Sequence, residues 1–523
     1  MSENIRRSTR ERLSAGFCLG LLLAACGAGS EEQPVAADDD AAPEAELGQV
    51  KQAINFGSAT TLCNSDPRVT LGIVSESVCV GAELFFRDSF GGNGRSCASC
   101  HPADNNYTID ADFIDQLPNS DPLFVAENVP ALAGLERPDL LRDHGLILEN
   151  VDGAENPTVK FTMRSVPHCL SLSRSITPPA GTTTPPLERT GWSGDGAPNQ
   201  GRLKDFQTGA IFQHYTKSLS RVENTDFVQA TASELDAIDA FLKTIGRSNE
   251  ITLSAVTLTD AGAESGRTTF LSPAARCNGC HNNAGANLAS GVNQNFNTGV
   301  ERARLAILDT QGIPFDGGFG GGGLANFNFD SNGDSVNDSF GNGQFNTPPL
   351  IEAADTGPFF HTNAFETIED AITFYTTAAF TNSPSGAGGA IALNATQIAN
   401  MGRFLRVLNA AFNVQMAIAR VNAVLPIIID GKNQSRALQQ ELARLALVEV
   451  DDALTVLSEK SGLNTAVQAD LTSAKGLLGT ASTHASHTQR RSAAEDALID
   501  LNDANAGLGT GMSFTMGQGT FMF

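Results

Sequence analysis

The chain is poor in basic residues: 34 Lys and Arg stand against 58 Asp and Glu, which gives a formal net charge of −24. Phosphate backbones are bound by basic surfaces, so this balance argues against nucleic acid as a partner. An acidic exterior is able to steer a basic partner protein towards the molecule. It is equally consistent with a solvated surface that only keeps the protein soluble.

Near the N-terminus no apolar run is long enough to span a bilayer, because residues 17–25 form only a short apolar segment. Four Arg precede this segment, and 23–26 reads Leu-Ala-Ala-Cys. This pattern predicts a lipoprotein signal over 1–25, with Cys26 carrying the lipid, and an acidic linker over 26–55. The alternative is an ordinary signal peptidase site nearby. The expected location is the periplasmic side of the cell envelope, with the lipid in the outer membrane.

Cysteine is also scarce, and four of the nine Cys stand in two copies of Cys-x-x-Cys-His. This pentapeptide is the attachment signal of c-type haem. Its two thiols form thioethers with the porphyrin, and the imidazole that follows binds the iron. The residues of the two copies are Cys97, Cys100, His101, Cys277, Cys280 and His281. Two covalently attached haems are therefore the expected cofactors.

Other sites with paired cysteines fit less well. A zinc ribbon needs its two pairs about 15–20 residues apart, whereas these pairs begin at positions 97 and 277. A thioredoxin-like motif needs a βαβ setting, and none is predicted around either pair. Of the other cysteines, Cys63, Cys79 and Cys169 lie beyond the export signal. In an oxidising compartment two of these three are expected to pair, and Cys63 with Cys79 closes the shortest loop.

The chain contains a duplicated pattern. Gly81-Ala82-Glu83 precedes the first motif, and Gly262-Ala263-Glu264 precedes the second at nearly the same distance. After each motif a capping box, at Thr231 and at Asn394, opens a stretch with apolar residues at helical spacing. This order is typical of a cytochrome c domain. We therefore predict a mostly α fold with two cytochrome c-like domains in tandem. Their expected bounds are 56–250 and 251–425.

Beyond residue 425 the composition becomes rich in Ala and Leu, with little Gly or Pro. Apolar residues at helical spacing form one stripe there. The stripe consists of Leu438, Leu442, Leu445 and Val448. It predicts a C-terminal helical extension over 426–523, which we interpret as a helical hairpin packed on the second domain or on a partner.

Between about residues 75 and 412 the chain resembles the bacterial di-haem cytochrome c peroxidase and MauG family. The segment 84–102 is similar to the family's approach to its first, peroxidatic haem. The segments 344–350 and 356–361 are similar to its signature after the second haem. The resemblance implies that His101 is the proximal ligand of a high-spin haem, where peroxide meets the iron. It implies that His281 is the proximal ligand of a six-coordinate haem that passes electrons.

In this family the second haem takes a further ligand, a Met in the peroxidases and a Tyr in MauG. The run 366–375 is similar to the family's approach to that position and places Tyr375 there. A phenolate lowers the potential of ferric iron, whereas a thioether raises it. The alternative is that Met401 or Met416 is the ligand and Tyr375 is a half-buried helix residue.

The peroxidases also carry a removable distal His on the first haem, and this sequence has no His at that spacing. His144 lies too early, and His168 lies just past the expected segment. Either the first site is permanently open, as in MauG, or a loop rearrangement uses one of these two residues. Trp192 matches the family's Trp between the haems, where an indole assists electron transfer. The alternative is that this single Trp is simply packed.

The distal pocket implied by the resemblance is only partly present. Gln207 matches a distal Gln, but the family's distal acid falls at Lys217. Cleavage of a bound peroxide needs a group that moves a proton between its two oxygens. His214 and Glu223 are the candidates to replace the missing acid.

Calcium is the second expected metal. The resemblance implies main-chain ligands at Thr356 and Pro358, and it puts Ser165 where the family has an Asn ligand. Separately, oxygen-bearing side chains alternate through a Gly-rich stretch, as in calcium loops, but without the closing bidentate Glu. These side chains are Asp330, Asn332, Asp334 and Asp338. The alternative for this stretch is a solvated loop.

The expected activity is that of a di-haem c-type peroxidase, an oxidoreductase that reduces hydrogen peroxide with electrons from a small cytochrome c or cupredoxin. The first alternative is a MauG-like oxidase that acts on a protein or organic substrate. The second is a di-haem electron carrier without enzymatic activity. Contact with a membrane is expected only through the lipid, and a homodimer is one expected assembly.

Overall fold

Helices dominate the residues that the computed structural model describes, which are 54–150, 161–196, 198–320, 341–428 and 436–523. This confirms the predicted mostly α class. Lys51–Phe523 group into one unit. Within the described ranges, no helix combines the length and apolar character needed to cross a bilayer. The expected lipidation site Cys26 and the candidate calcium loop at 330–338 lie outside the described residues.

Within the described ranges, ten helices make the main packing contacts, and four short strands lie beside them. The helices are α1 (Phe56–Ser65), α2 (Glu76–Arg87), α3 (Leu203–His214), α4 (Ala232–Leu242), α5 (Ala261–Leu271), α6 (Ile368–Phe374), α7 (Ala395–Val424), α8 (Arg436–Ser458), α9 (Thr465–Thr483) and α10 (His487–Leu508). Shorter helices are Pro67–Thr70, Ala111–Ile114, Val125–Asn128, Pro138–His144, Leu172–Ser175, Cys277–Cys280, Ala306–Thr310 and Ala378–Thr381. The strands β1 (Leu146–Glu149) and β2 (Thr162–Ser165) pair antiparallel, as do β3 (Thr257–Leu258) and β4 (Gly509–Thr510).

Both predicted capping boxes are present. The main-chain N–H of Thr231 donates to Glu234 Oε2 at 2.6 Å, and the Thr231 hydroxyl accepts from the Glu234 N–H. Asn394 and Gln397 make the same reciprocal pair at 3.0 and 2.9 Å. Each box satisfies N–H groups that the first helical turn leaves free, so it sets where α4 and α7 begin.

We call residues 54–250 the first motif half and residues 251–425 the second motif half. In each, the helix before the Cys-x-x-Cys-His motif packs against the capped helix after it: α2 on α4, and α5 on α7. The backbones cross at a glycine. A Cβ on Gly81 would lie 1.9 Å from the Ala237 carbonyl oxygen, and a Cβ on Gly266 would lie 2.0 Å from that of Asn400. Gly81 and Gly262 stand at similar distances before their motifs, but Gly262 does not lie at the corresponding helix crossing. A Cβ on Gly262 would meet the side chain of Arg403, not a main-chain carbonyl.

The C-terminal extension contains three helices, so the predicted hairpin is wrong. α8 packs on α7, α9 on α8, and α10 on both α9 and α7, which closes a four-helix bundle. The bundle shares α7 with the second motif half. After α10, a closing segment (residues 509–523) returns to the motif halves, where β4 pairs with β3 and the Ser248 N–H donates to the Thr515 carbonyl at 2.8 Å.

Two of Cys63, Cys79 and Cys169 are expected to pair, and the structure shows a disulfide between Cys63 and Cys79 that joins α1 to α2. Cys169 stays free and is buried. The largest apolar cluster of buried residues runs from α1 through both motif halves into the bundle. This shared core is what holds the two motif loops in place relative to one another.

Candidate haem-binding site

Both Cys-x-x-Cys-His motifs line a single cavity of about 450 Å³. The first motif forms a turn over Cys97–Ser99, in which the Ser96 N–H donates to the Ser99 hydroxyl at 3.0 Å. The second forms one helical turn over Cys277–Cys280. All four motif thiols are free of disulfides and half-buried. The turns place both Cys side chains and the following imidazole of each motif on the cavity wall.

The cavity brings together most of the residues expected at a di-haem centre. Those on its wall are Cys97, Cys100, His101, Trp192, Gln207, His214, Cys277, Cys280, His281, Thr356, Pro358, Tyr375 and Met401. His168 and Ser165 also line it, whereas His144, Met416, Lys217 and Glu223 do not. Glu223 is exposed, so it is wrong as a substitute for the missing distal acid. It sits in an exposed turn of the loop after α3.

The two motif imidazoles are held in the same way. His101 Nδ1 lies 2.8 Å from the Tyr107 carbonyl oxygen, and His281 Nδ1 lies 3.0 Å from that of Pro348. A carbonyl only accepts hydrogen bonds, so Nδ1 carries the proton in each ring. Nε2 is then left with its lone pair free to bind a metal. Sequence reasoning missed Tyr107 because its contact depends on how the loop after His101 folds back.

Burial keeps both imidazoles neutral. It lowers the pKa of His101 to about 4 against the opposing effect of the Tyr107 hydrogen bond, and it lowers the pKa of His281 to about 4 against that of Pro348. A metal-binding imidazole must be neutral, with no proton on the nitrogen that binds the metal, so these low pKa values suit that role. Burial also raises the pKa of Cys97 to about 11 and of Cys277 to about 12, which keeps the thiols protonated.

Two further groups contact the first motif and were not expected from the sequence. The Tyr215 hydroxyl donates to Cys97 Sγ at 3.1 Å, and Cys169 Sγ lies 3.3 Å from His101 Nδ1. Tyr215 comes directly after α3, and Cys169 lies in the loop after β2. Neither residue belongs to a motif, and only the fold brings them to the first haem-binding turn.

Tyr375 lies just past the C-terminal end of α6, on the cavity wall and among aromatic rings. Its ring contacts Phe360, Phe374 and Phe380 edge-on. Burial, followed by the nearby Cys280 and Cys277 thiols, raises the pKa of its hydroxyl above the usual 10. The second motif and Tyr375 therefore share one end of the cavity. Met401 also faces the cavity from α7, where it belongs to the buried stripe.

Trp192 lines the cavity together with residues of both motifs. Its indole N–H donates to the Ser165 carbonyl at 2.9 Å, and its own carbonyl accepts from the Asn346 N–H at 2.8 Å. The Ser165 N–H in turn donates to the His361 carbonyl at 2.7 Å. These bonds tie the indole to β2 and to the signature segments that follow the second motif.

Gln207 and His214 face the cavity from α3, and their spacing of two helical turns puts them on one face. Gln207 is 8 % exposed, and neither its amide nitrogen nor its amide oxygen has a partner in the described protein. An unpartnered buried amide is costly unless a ligand or water bonds to it. Burial, and then the charges of Arg95 and Arg221, lower the pKa of His214 to about 3, so its ring is neutral.

The expected calcium ligands lie near one another. The Ser165 hydroxyl donates to the Phe360 carbonyl at 3.1 Å, which places Ser165 beside the loop that carries Thr356 and Pro358. Within the described ranges, no group of three or more His, Cys, Asp or Glu side chains is arranged to hold a metal ion.

Comparison with known proteins adds little. No protein-family model matches the chain, and no curated protein matches it. Among solved structures, one match is hydrazine synthase of Kuenenia stuttgartiensis pressurised with xenon. It is 14 % identical with a TM-score of 0.32, and the match covers 72 % of this chain and 99 % of that one. So low a TM-score carries no argument about fold or function.

Proposed function

We propose that the chain is a di-haem c-type peroxidase, which reduces hydrogen peroxide to water with two electrons from a small redox protein. One observation carries the proposal. Both Cys-x-x-Cys-His motifs line the same cavity, and each presents an imidazole whose Nδ1 is bonded to a main-chain carbonyl. Two thiols and one oriented imidazole per site are the groups that attach and ligate haem c.

The residues that line the cavity fit that cofactor. The four thiols are unpaired, and the two imidazoles are neutral with Nε2 available. Apolar side chains from α2, α4 and α7 line the same cavity, which suits a porphyrin face. When bound, haem supplies the redox-active iron at which peroxide is reduced. The protein contributes binding, orientation and proton movement.

The two ends of the cavity differ, and this supports different roles. Around the first motif, Gln207 offers an unpartnered donor and acceptor to the two oxygens of peroxide. The neutral His214 ring accepts a proton from one oxygen and returns it to the other, which is the role of the acid missing at Lys217. Around the second motif, Tyr375 would be a further ligand of the bound haem iron, and that end of the cavity would then pass electrons. Trp192 assists their transfer between the two ends.

A MauG-like oxidase is the second candidate, because a Tyr rather than a Met stands at the proposed ligand position. In that reading the oxidising equivalents from peroxide leave through a protein or organic substrate instead of being quenched by a donor. Calcium at Thr356 and Pro358, a lipid anchor on the periplasmic side and a homodimer remain proposals alongside either activity.

Electron paramagnetic resonance of the oxidised, haem-loaded protein tests the proposal. We expect one high-spin and one low-spin ferric signal, and steady turnover of peroxide with a reduced cytochrome c or cupredoxin. Two low-spin signals would favour an electron carrier. A high-spin signal without turnover of the donor would favour the MauG-like reading. Protein that contains no covalent haem would rule out all three.

The Tyr375→Phe variant tests the axial ligand separately. Removing the hydroxyl is expected to abolish the low-spin signal of the second haem and leave that of the first unchanged. Met401→Leu is the matched control, since it removes the only alternative ligand that lines the cavity. If Met401→Leu alters the second haem and Tyr375→Phe does not, the assignment is wrong.

A further inference from the structure

The loop that follows the first haem-binding His is held by the C-terminal extension. Arg444 of α8 donates to Asp104 at 2.9 Å, and the Asn106 side chain donates to Asp452 of α8 at 3.3 Å. The Tyr107 hydroxyl donates to the Phe523 carbonyl of the closing segment at 3.2 Å. Three residues within 102–107 therefore contact a part of the chain that is more than 300 positions away.

This loop contains a strained turn. Asn106 has φ 54° and Tyr107 has φ 57°, so two successive non-glycine residues are left-handed. For a bulky side chain this conformation is disfavoured by sterics, and it persists only where surrounding contacts impose it. Tyr107 is 1 % exposed, and its ring packs against Phe85 and Phe86. Phe86 in turn packs on Phe523, with ring centroids 4.5 Å apart.

The strained turn aims the group that orients the imidazole. The Tyr107 carbonyl accepts the hydrogen bond from His101 Nδ1, so its direction depends on the backbone angles of residue 107. Among the described residues, the corresponding acceptor of the second motif is held differently: His281 Nδ1 bonds to the Pro348 carbonyl, next to Thr347, whose hydroxyl donates to the Gln294 carbonyl. The two imidazoles are alike in their bonds but differ in what holds their acceptors.

We propose that the C-terminal extension is a positioning device for the first haem ligand. It rests on the proposed function: by keeping Tyr107 in its left-handed turn, α8 and the closing segment set the orientation and basicity of His101 at the peroxide-reducing haem. A hydrogen bond to Nδ1 makes an axial imidazole more basic, so it tunes the reduction potential of the iron. This role of the extension is internal to the protein.

The Tyr107→Phe variant of the full-length, haem-loaded protein tests this, because it removes the bond to Phe523 and keeps the ring. Amide hydrogen exchange over 102–107 is expected to become roughly five- to tenfold faster, the effect of one lost hydrogen bond. The iron–imidazole stretching frequency and the reduction potential of the first haem are expected to shift, while those of the second haem stay unchanged. Asp452→Ala, which acts on the same loop through Asn106, should reproduce both shifts.

Glu495→Ala is the control, since it removes an exposed ion pair with Arg491 within α10, and neither residue belongs to the loop contacts described above. It should change neither readout. Faster exchange in Tyr107→Phe with an unaltered first haem would overturn the positioning role, as would equal shifts at both haems. If the protein carries no haem, the proposed function fails, but the exchange rates and the His101 tautomer read by NMR still report whether the extension holds the loop.

Discussion

Burial decides the charge state of the residues that face the cavity. His101, His214 and His281 all have a pKa lowered by loss of solvent, and each therefore stays neutral in the folded protein. For the two motif residues neutrality serves metal binding. For His214 it leaves one ring nitrogen with a free lone pair. The same burial costs stability in acid, because the unfolded chain gains protons that the folded one refuses.

His214→Gln tests this cost. The pKa of His214 is about 3 in the folded protein against an ordinary 6.5, so the unfolded state alone is protonated between these values. Its contribution to stability is complete above 6.5 and is lost as the pH falls towards 3. We expect the variant to lose less unfolding free energy than the native protein between about pH 7 and about pH 4.5. Urea denaturation at both pH values measures it.

The exposed Gln489 on α10 supplies the control, since Gln489→Ala removes no titratable group and should leave the pH dependence as it is in the native protein. An unchanged pH dependence in His214→Gln would show that His214 is solvated in the folded state. That result would also weaken its proposed part in moving protons.

At the scale of elements, the two helix crossings determine how each motif is presented. The close approach at Gly81 and Gly266 is possible only because neither residue has a Cβ. Each crossing fixes the helix that ends shortly before a motif, so the turn that follows is fixed as well. A capping box at the start of the partner helix sets the register of the contact.

Gly81→Ala and Gly266→Ala are therefore expected to be strongly destabilising. The new methyl group would overlap a main-chain oxygen, which cannot move without shifting the whole helix. We expect each variant to lower the unfolding free energy by about 1–3 kcal/mol, the usual cost of overpacking a core. Gly476→Ala in α9 is the control, because no atom lies within 4 Å of its Cβ position. Alanine should stabilise that helix by up to about 1 kcal/mol.

Thermal and denaturant unfolding, with covalent haem content measured beside them, checks these three variants. Retained stability in both crossing variants would mean that the helices are able to separate there. Loss of haem in one variant only would mean that the two crossings are not equivalent.

At the scale of the whole molecule, α7 and the closing segment join the bundle to the two motif halves. Arg420 of α7 is the link, since it donates to the Leu445 carbonyl at 2.7 Å, to Glu449 at 2.6 Å and to the Thr520 carbonyl at 3.1 Å. Arg420 and Glu449 are both buried, so each depends on the other for charge compensation. The bundle and the motif halves should accordingly unfold together.

Arg420→Met tests that coupling. It leaves Glu449 buried without a partner, which is expected to cost about 3–5 kcal/mol. Helicity by circular dichroism and the haem absorption band should then report one transition at lower temperature. Lys475→Met, which breaks only an exposed ion pair, should cost less than about 1 kcal/mol. Two separate transitions in Arg420→Met would contradict a shared core.

The sequence by itself determined the features whose signals are local. The haem-attachment pentapeptides, the two capping boxes and the short Cys63–Cys79 loop each lie within a few to sixteen residues, so their chemistry can be read along the chain. The helical character of the extension was also readable from composition, but the number and packing of its helices were not. Periodicity marks which face of a helix is apolar without saying which helix covers it.

Only the tertiary structure decided which glycines mark the helix crossings, which groups touch the motif residues and what the extension holds. Tyr107, Cys169 and Tyr215 reach the first motif through contacts over 6, 68 and 118 positions, with no pattern to announce them. The left-handed turn at Tyr107 is stable because Phe85, Phe86 and the closing segment surround it. Such a conformation is set by packing against distant parts of the chain, and local propensity disfavours it.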